Sequence, residues 1–305
     1  MFKRIGLFLM VNFLVIMVVS LVLNVLGVRP YITAYGIDYS SLMIFCLVWG
    51  MGGAFVSLAL SRKMAKWMMG VKIVDPQTDH PQMQQLVQRV HNLSRSANLP
   101  KLPQVGVYQS PEVNAFATGP TKSRSLVAVS TGLLERMSDD QIEGVLGHEV
   151  AHIANGDMVT MTLLQGVVNA FVMFLARAIA FAIMQLGSSR DNDSSEGMSY
   201  FAYIITVFVL EMIFMIFGSM VVAWFSRLRE FKADAGGAKL TGRDKMITAL
   251  KGLQSAIEVQ DPHLNKPALN AFKISTKRKG SFVRYFSSHP PLEDRIARLE
   301  TMTSI

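Results

Sequence analysis

Four stretches of this chain are too long and too apolar for ordinary core helices: about residues 5–27, 40–60, 161–187 and 199–225. A helix needs roughly 20 apolar residues to cross the hydrocarbon of a bilayer, and each stretch reaches that length. Backbone in lipid must satisfy its own hydrogen bonds, so each stretch is expected to be a membrane-spanning α-helix. Composition agrees. Half of the 305 residues are apolar and only 17% are charged, against about 25% in soluble domains. The first span follows "MFKR" and could pass for a secretory signal. Its apolar run is longer than a signal core and no small-residue cleavage site follows, so it reads as a retained anchor.

Charge sets the expected orientation. Lys3 and Arg4 precede the first span; Arg62, Lys63 and Lys66 follow the second; Arg227, Arg229 and Lys232 follow the fourth. Residues 28–39 carry only Arg29, and "GSSRDNDSSEGMS" sets Arg190 against Asp191, Asp193 and Glu196. Basic residues stay on the cytoplasmic side, which places both termini, residues 61–160 and everything after 226 there. The net charge of +8 gathers beside the spans, which suits anionic headgroups. No basic run is interleaved with aromatics, so nucleic acid is not an expected partner. Arg177 and Glu211 fall inside the third and fourth spans at similar depth. Isolated charges there are costly, so either the two pair or their spans are embedded in protein or wet. Cys46, the single cysteine, excludes an intrachain disulfide and a multi-cysteine metal site, and reads as a small packing residue.

The polar segments carry the chemistry. Residues 61–160 read as mixed α/β, with a helix over 81–97, short buried strands at "QVGVY" and "SLVAVS", and "VNAFATG" as a third or edge strand. "MSDDQIEGVLGHEVAHIANGD" follows. Ser138 and Gln141 fit a capping box, Asp139 and Asp140 a helix N-terminus, and Asn155 and Gly156 its end. "HEVAH", residues 148–152, is therefore mid-helix. At about 100° per residue, His148, Glu149 and His152 share one face. Two imidazoles one turn apart can ligate a tetrahedral Zn²⁺, with Glu149 close enough to take a proton from a water at the metal. Gly147, directly before, leaves room by the first ligand.

A catalytic zinc takes three protein ligands. The other histidines are His80, His91, His263 and His289, and "IANGDMVT" supplies none at metzincin spacing. A carboxylate on another element is expected. The best candidate is Glu230 in "SRLREFKADAGGAKLTG", with Asp234 one turn on to accept a ligand imidazole's spare N–H. The alternative is a solvated helix face with Glu230 paired to Arg227 or Arg229.

Together these marks resemble the HtpX-type bacterial membrane zinc metallopeptidases, relatives of the CAAX prenyl proteases. The resemblance rests on the paired N-terminal spans, "NAFATG", the active helix with Met137 at a leucine position, "SRLREFKADAGGA" and "SSHPPLEDRI". It implies one zinc per chain held by His148, His152 and Glu230, with Glu149 as base and Asp234 behind the ligands. It further implies that Asn114 lies on an edge strand that pairs with substrate. His289 and Arg295 would contact the substrate backbone or the polarised carbonyl. Without the resemblance, His289 reads as an exposed turn histidine and Arg295 as a surface helix residue.

The expected architecture is an integral membrane α-helical protein of four spans plus a cytoplasmic α+β, zincin-like domain. Its segments are 1–60 (two spans), 61–160 (the HExxH half), 161–225 (a spanning hairpin) and 226–305 (the half with the third ligand). The expected function is a zinc endopeptidase of the bacterial inner membrane. It would cleave membrane proteins that expose flexible cytoplasmic segments, and the resemblance adds membrane-protein quality control under stress. The rivals are a CAAX-type prenyl-protein protease, for which four spans look too few to enclose a lipidated tail, and an idle scaffold, which would not need Glu149. Residues 187–198 are expected to be an outer loop. Residues 261–282 are expected to be a basic loop near headgroups or over the cleft.

Overall fold

The computed structural model describes residues 32–33, 36–188, 196–259 and 286–302. The expected first span, most of the 187–198 loop and residues 261–282 lie outside them. In chain order the described elements are β1 (Ile32–Thr33), β2 (Gly36–Ile37), α1 (Tyr39–Met68), β3 (Lys72–Ile73), α2 (Pro81–Ser96), β4 (Gln104–Tyr108), β5 (Ala115–Thr121), β6 (Arg124–Ser130), α3 (Thr131–Arg136), α4 (Asp139–Asn155), α5 (Asp157–Ser188), α6 (Glu196–Thr241), α7 (Arg243–Val259) and α8 (Leu292–Thr301). They divide into two compact units.

One unit draws on Met1–Ser57 and Thr162–Val222. Among the described residues three helices, α1, α5 and α6, are long and apolar enough to cross a membrane. They match the second, third and fourth expected spans. Small residues, Cys46, Ala170, Ala176 and Ala180, sit at their mutual contacts. Leu42 and Cys46 pack on Ala170, and Ala176 and Ala180 pack on Tyr203 and Val207. Large side chains point away: Phe201, Phe208 and Phe217 are each more than 60% exposed. That is the pattern expected where lipid covers the outer face and close backbone approach holds the helices. The two intramembrane charges pair with each other: Arg177 Nη1 donates to Glu211, and also to the Met173 carbonyl at 3.1 Å. The guanidinium lies 5.7 Å from the Phe45 ring centre. Cys46 is buried and free.

The other unit draws on Leu58–Met161 and Ala223–Ile305. Its sheet has the order β3-β4-β6-β5, with β4 and β6 parallel and the outer strands antiparallel to their neighbours. In β6 only Arg124 is exposed, and Ser125 to Ser130 are all buried. A strand covered on both faces needs such an unbroken run rather than alternation. Leu86, Val87, Val90 and Leu93 form the inward stripe of α2 and meet Ile142, Val145, Leu146 and Val150 of α4 in the core. Leu292, Ile296 and Leu299 of α8 pack with Met246 and Leu250 of α7. The sequence reading passed over β3, which is two residues long, and α7, whose apolar spacing lay outside the motifs. Among the described residues β5 is an edge strand, with no ladder partner on its side away from β6.

Candidate metal centre

The site grows from α4. Ser138 accepts from Gln141 N–H while the Gln141 side chain accepts from Ser138 N–H, the expected capping box. The helix stops at Gly156, whose φ of 73° is a left-handed conformation that glycine adopts without strain. Asp157 then opens α5, turned back toward the helix it follows. Gly147 has a different purpose from the expected one. A Cβ there would lie 2.6 Å from Thr241 Cγ2, so its absence lets α6 approach α4, rather than making room at a ligand. The stretch 226–242 is no separate element either, since α6 continues through it to Thr241. Close approach brings Glu230 and Asp234, one turn apart on α6, against the "HEVAH" face.

Three side chains converge there. His148 Nε2 and His152 Nε2 are 3.1 Å apart. Glu230 Oε1 is 3.3 Å from His152 Nε2, and Oε2 is 3.5 Å from His148 Nε2. A tetrahedral ion with bonds of about 2.0–2.1 Å holds its ligand atoms about 3.3–3.4 Å apart, so the spacing fits zinc. The proton arrangement fits as well. His148 Nδ1 lies 3.0 Å from Asp234 Oδ1, and His152 Nδ1 lies 2.6 Å from Asp157 Oδ2. A carboxylate can only accept, so both Nδ1 atoms carry a hydrogen, which leaves both Nε2 atoms, facing Glu230, to offer a lone pair to a metal once any proton there is displaced. Three acceptors that close together require a cation or a proton among them. Burial opposes charge on His152, but Asp157 and Glu230 outweigh it and push its pKa up to about 10.

Each carboxylate is held in turn by an arginine. Arg295 Nε and Nη2 donate to Asp234 at 2.8 and 2.6 Å, and its Nη1 is 3.2 Å from Glu230 Oε2. Arg295 is 3% exposed, which corrects its reading from sequence alone as a surface residue. His289, half-buried, sets Nδ1 2.9 Å from Glu230 Oε2. Arg229 Nε is 3.0 Å from Asp157 Oδ1. Glu230 therefore pairs with neither Arg227 nor Arg229, as the alternative reading required, but faces the imidazoles.

Glu149 sits beside the two histidines on α4. Burial raises its pKa, His148 and His152 pull the other way, and Ala117 of β5 gives it a backbone hydrogen bond. Asn114 lies one residue before β5, half-buried. Its N–H donates to Ser130 Oγ at 3.1 Å and its carbonyl accepts from Ser130 N–H at 2.9 Å. Asp157 and Arg229 were missed as site residues. The available signals were an aspartate just past a helix-ending glycine, five residues from His152, and a cation directly before Glu230.

Known proteins are similar to this chain over nearly its whole length. The chain is 51% identical to "Protease HtpX homolog" of Bacillus subtilis (strain 168), covering 98% of this chain and 99% of that one. It is 48% identical to "Protease HtpX" of Shewanella sp. (strain MR-4), with the same coverage. Among solved structures, S. mikatae Ste24p aligns with a TM-score of 0.66 at 18% identity. That alignment covers 98% of this chain and 65% of that one, and shows a shared fold. The family model described as Peptidase family M48 matches residues 80–303, a range that holds the histidines, Glu149, Glu230, Asp234 and Arg295. By that match and by near full-length identity to HtpX proteases, this chain belongs to peptidase family M48.

Proposed function

We propose that this membrane-bound metalloprotease is a zinc endopeptidase whose ion is held by His148, His152 and Glu230 and whose base is Glu149. The carrying observation is the convergence of two Nε2 atoms and one carboxylate within 3.1–3.5 Å, beside Glu149 on the same helix face. Zinc, when bound there, supplies Lewis acidity toward a carbonyl and lowers the pKa of a coordinated water to about 7. Glu149 takes the proton from the attacking water and delivers it to the leaving amine. Its raised pKa favours holding that proton between the two transfers. Substrate lies extended along the open edge of β5, through main-chain hydrogen bonds that tolerate many sequences. Asn114 fixes the start of that edge, and His289 faces the cleft from beside Glu230.

The working location is the cytoplasmic face of the bacterial inner membrane, from the basic flanks of the spans. The substrates are misfolded or damaged membrane proteins with flexible cytoplasmic segments, which fits a role in quality control under stress. The test is reconstitution of the full chain in liposomes with a membrane protein bearing such a segment. Cleavage should stop with a chelator and return with stoichiometric zinc. Undiminished cleavage after complete chelation would overturn the reading.

A further inference from the structure

Asp157 is buried at 5% exposure and touches two partners at once. Its Oδ2 accepts from His152 on α4 at 2.6 Å, and its Oδ1 is 3.0 Å from Arg229 on α6. Arg229 directly precedes Glu230. Asp157 itself is the first residue of α5, directly after the left-handed Gly156. One carboxylate thus ties the helix that carries two candidate ligands to the helix that carries the third.

We propose that Asp157 and Arg229 form a positioning bridge that couples His152 to Glu230, so that the site binds its metal as one preset unit. Asp157 fixes the His152 tautomer, so that Nε2 offers its lone pair. Arg229 neutralises the buried carboxylate and fixes the turn of α6 from which Glu230 projects. On the other flank, His148, Asp234 and Arg295 repeat the histidine–carboxylate–arginine order, but that carboxylate shares α6 with Glu230. The Asp157 bridge joins residues whose ligand neighbours lie on different helices, so its loss should loosen two ligands together.

This inference rests on the ligand set proposed above. The experiment uses full-length protein in detergent, with zinc and cobalt as probes. Outer-shell partners of ligand histidines typically set about 10–100-fold in metal affinity. Asp157→Asn should weaken zinc binding within that range and shift the visible spectrum of the cobalt-loaded protein; the metal-free protein should still fold, with a lower melting temperature because Arg229 and His152 lose their buried partner. Arg229→Met should also weaken zinc binding, and Arg229→Lys should restore part of the loss. In the Asp157→Asn background, Arg229→Met should add little. Asp157→Asn with wild-type zinc affinity and cobalt spectrum, or fully additive losses in the double variant, would overturn the bridge. Glu230→Gln, measured alongside, separates the two claims. If it too leaves zinc binding unchanged, the ligand set fails. If it alone weakens zinc, only the bridge fails.

Discussion

Arg295 grips Asp234 with two nitrogens, at 2.8 and 2.6 Å, in a site where both side chains are 3% or less exposed. Breaking such a pair from one side leaves an uncompensated buried charge, which costs about 3–5 kcal/mol. Arg295→Met should therefore lower the melting temperature of the metal-free protein sharply. Adding Asp234→Asn should recover part of the loss, because no lone charge remains. A residue that only contacted substrate would raise KM and leave melting unchanged. Melting curves and KM on the two variants and the parent protein distinguish the two roles.

Glu149 needs no contact with the ion to act, only a place on the same helix face. Glu149→Gln should lower kcat by about 10²–10⁴-fold, the usual worth of a positioned general base, and keep one zinc per chain. Metal content and peptide cleavage on one preparation check both halves. Loss of zinc would make Glu149 a structural part of the site.

Much of this architecture was legible in residue order, and the reasons differ by element. The second, third and fourth expected spans were legible because a bilayer imposes one length and one composition. The α4 boundaries were legible because Ser138, Gln141 and Gly156 are local signals that act within a single turn. Glu230 was reachable by elimination, since few histidines remained. Arg295 was named only through the family resemblance, because its burial depends on α8 packing against α7, a contact that helix spacing alone does not encode. Gly147 was read for the wrong neighbour for the same reason: the residue it makes room for, Thr241, is 94 positions away. Asp157 stood in plain view, but its partner Arg229 read as part of a basic flank.

The Arg177–Glu211 pair gives the membrane unit its own test. Ala at either position leaves a charge without its partner among apolar helices, and should lower the melting temperature of the protein in lipid. The exchanged pair, Arg177→Glu with Glu211→Arg, should recover most of the loss. Failure of the exchange while each single variant is destabilised would mean that the Met173 carbonyl and Phe45 ring, rather than Glu211, hold the guanidinium.

Metal loading should release protons. With the His152 pKa at about 10, the metal-free imidazole is charged at pH 7, and zinc needs it neutral. Affinity should therefore rise with pH, about tenfold per unit for each proton displaced, until the pH approaches that value. Titration calorimetry at pH 7 in buffers of different ionisation enthalpy should report about one proton or more released per zinc. A binding enthalpy independent of buffer would contradict this.

The most direct measurement is zinc-edge X-ray absorption on full-length Glu149→Gln protein loaded with one equivalent of metal. The predicted first shell is two imidazoles and carboxylate oxygen at about 2.0–2.2 Å, with no sulfur, and Glu230→Gln should remove the carboxylate contribution. A single imidazole, a sulfur scatterer, or a shell unchanged by Glu230→Gln would contradict a metal centre built from His148, His152 and Glu230.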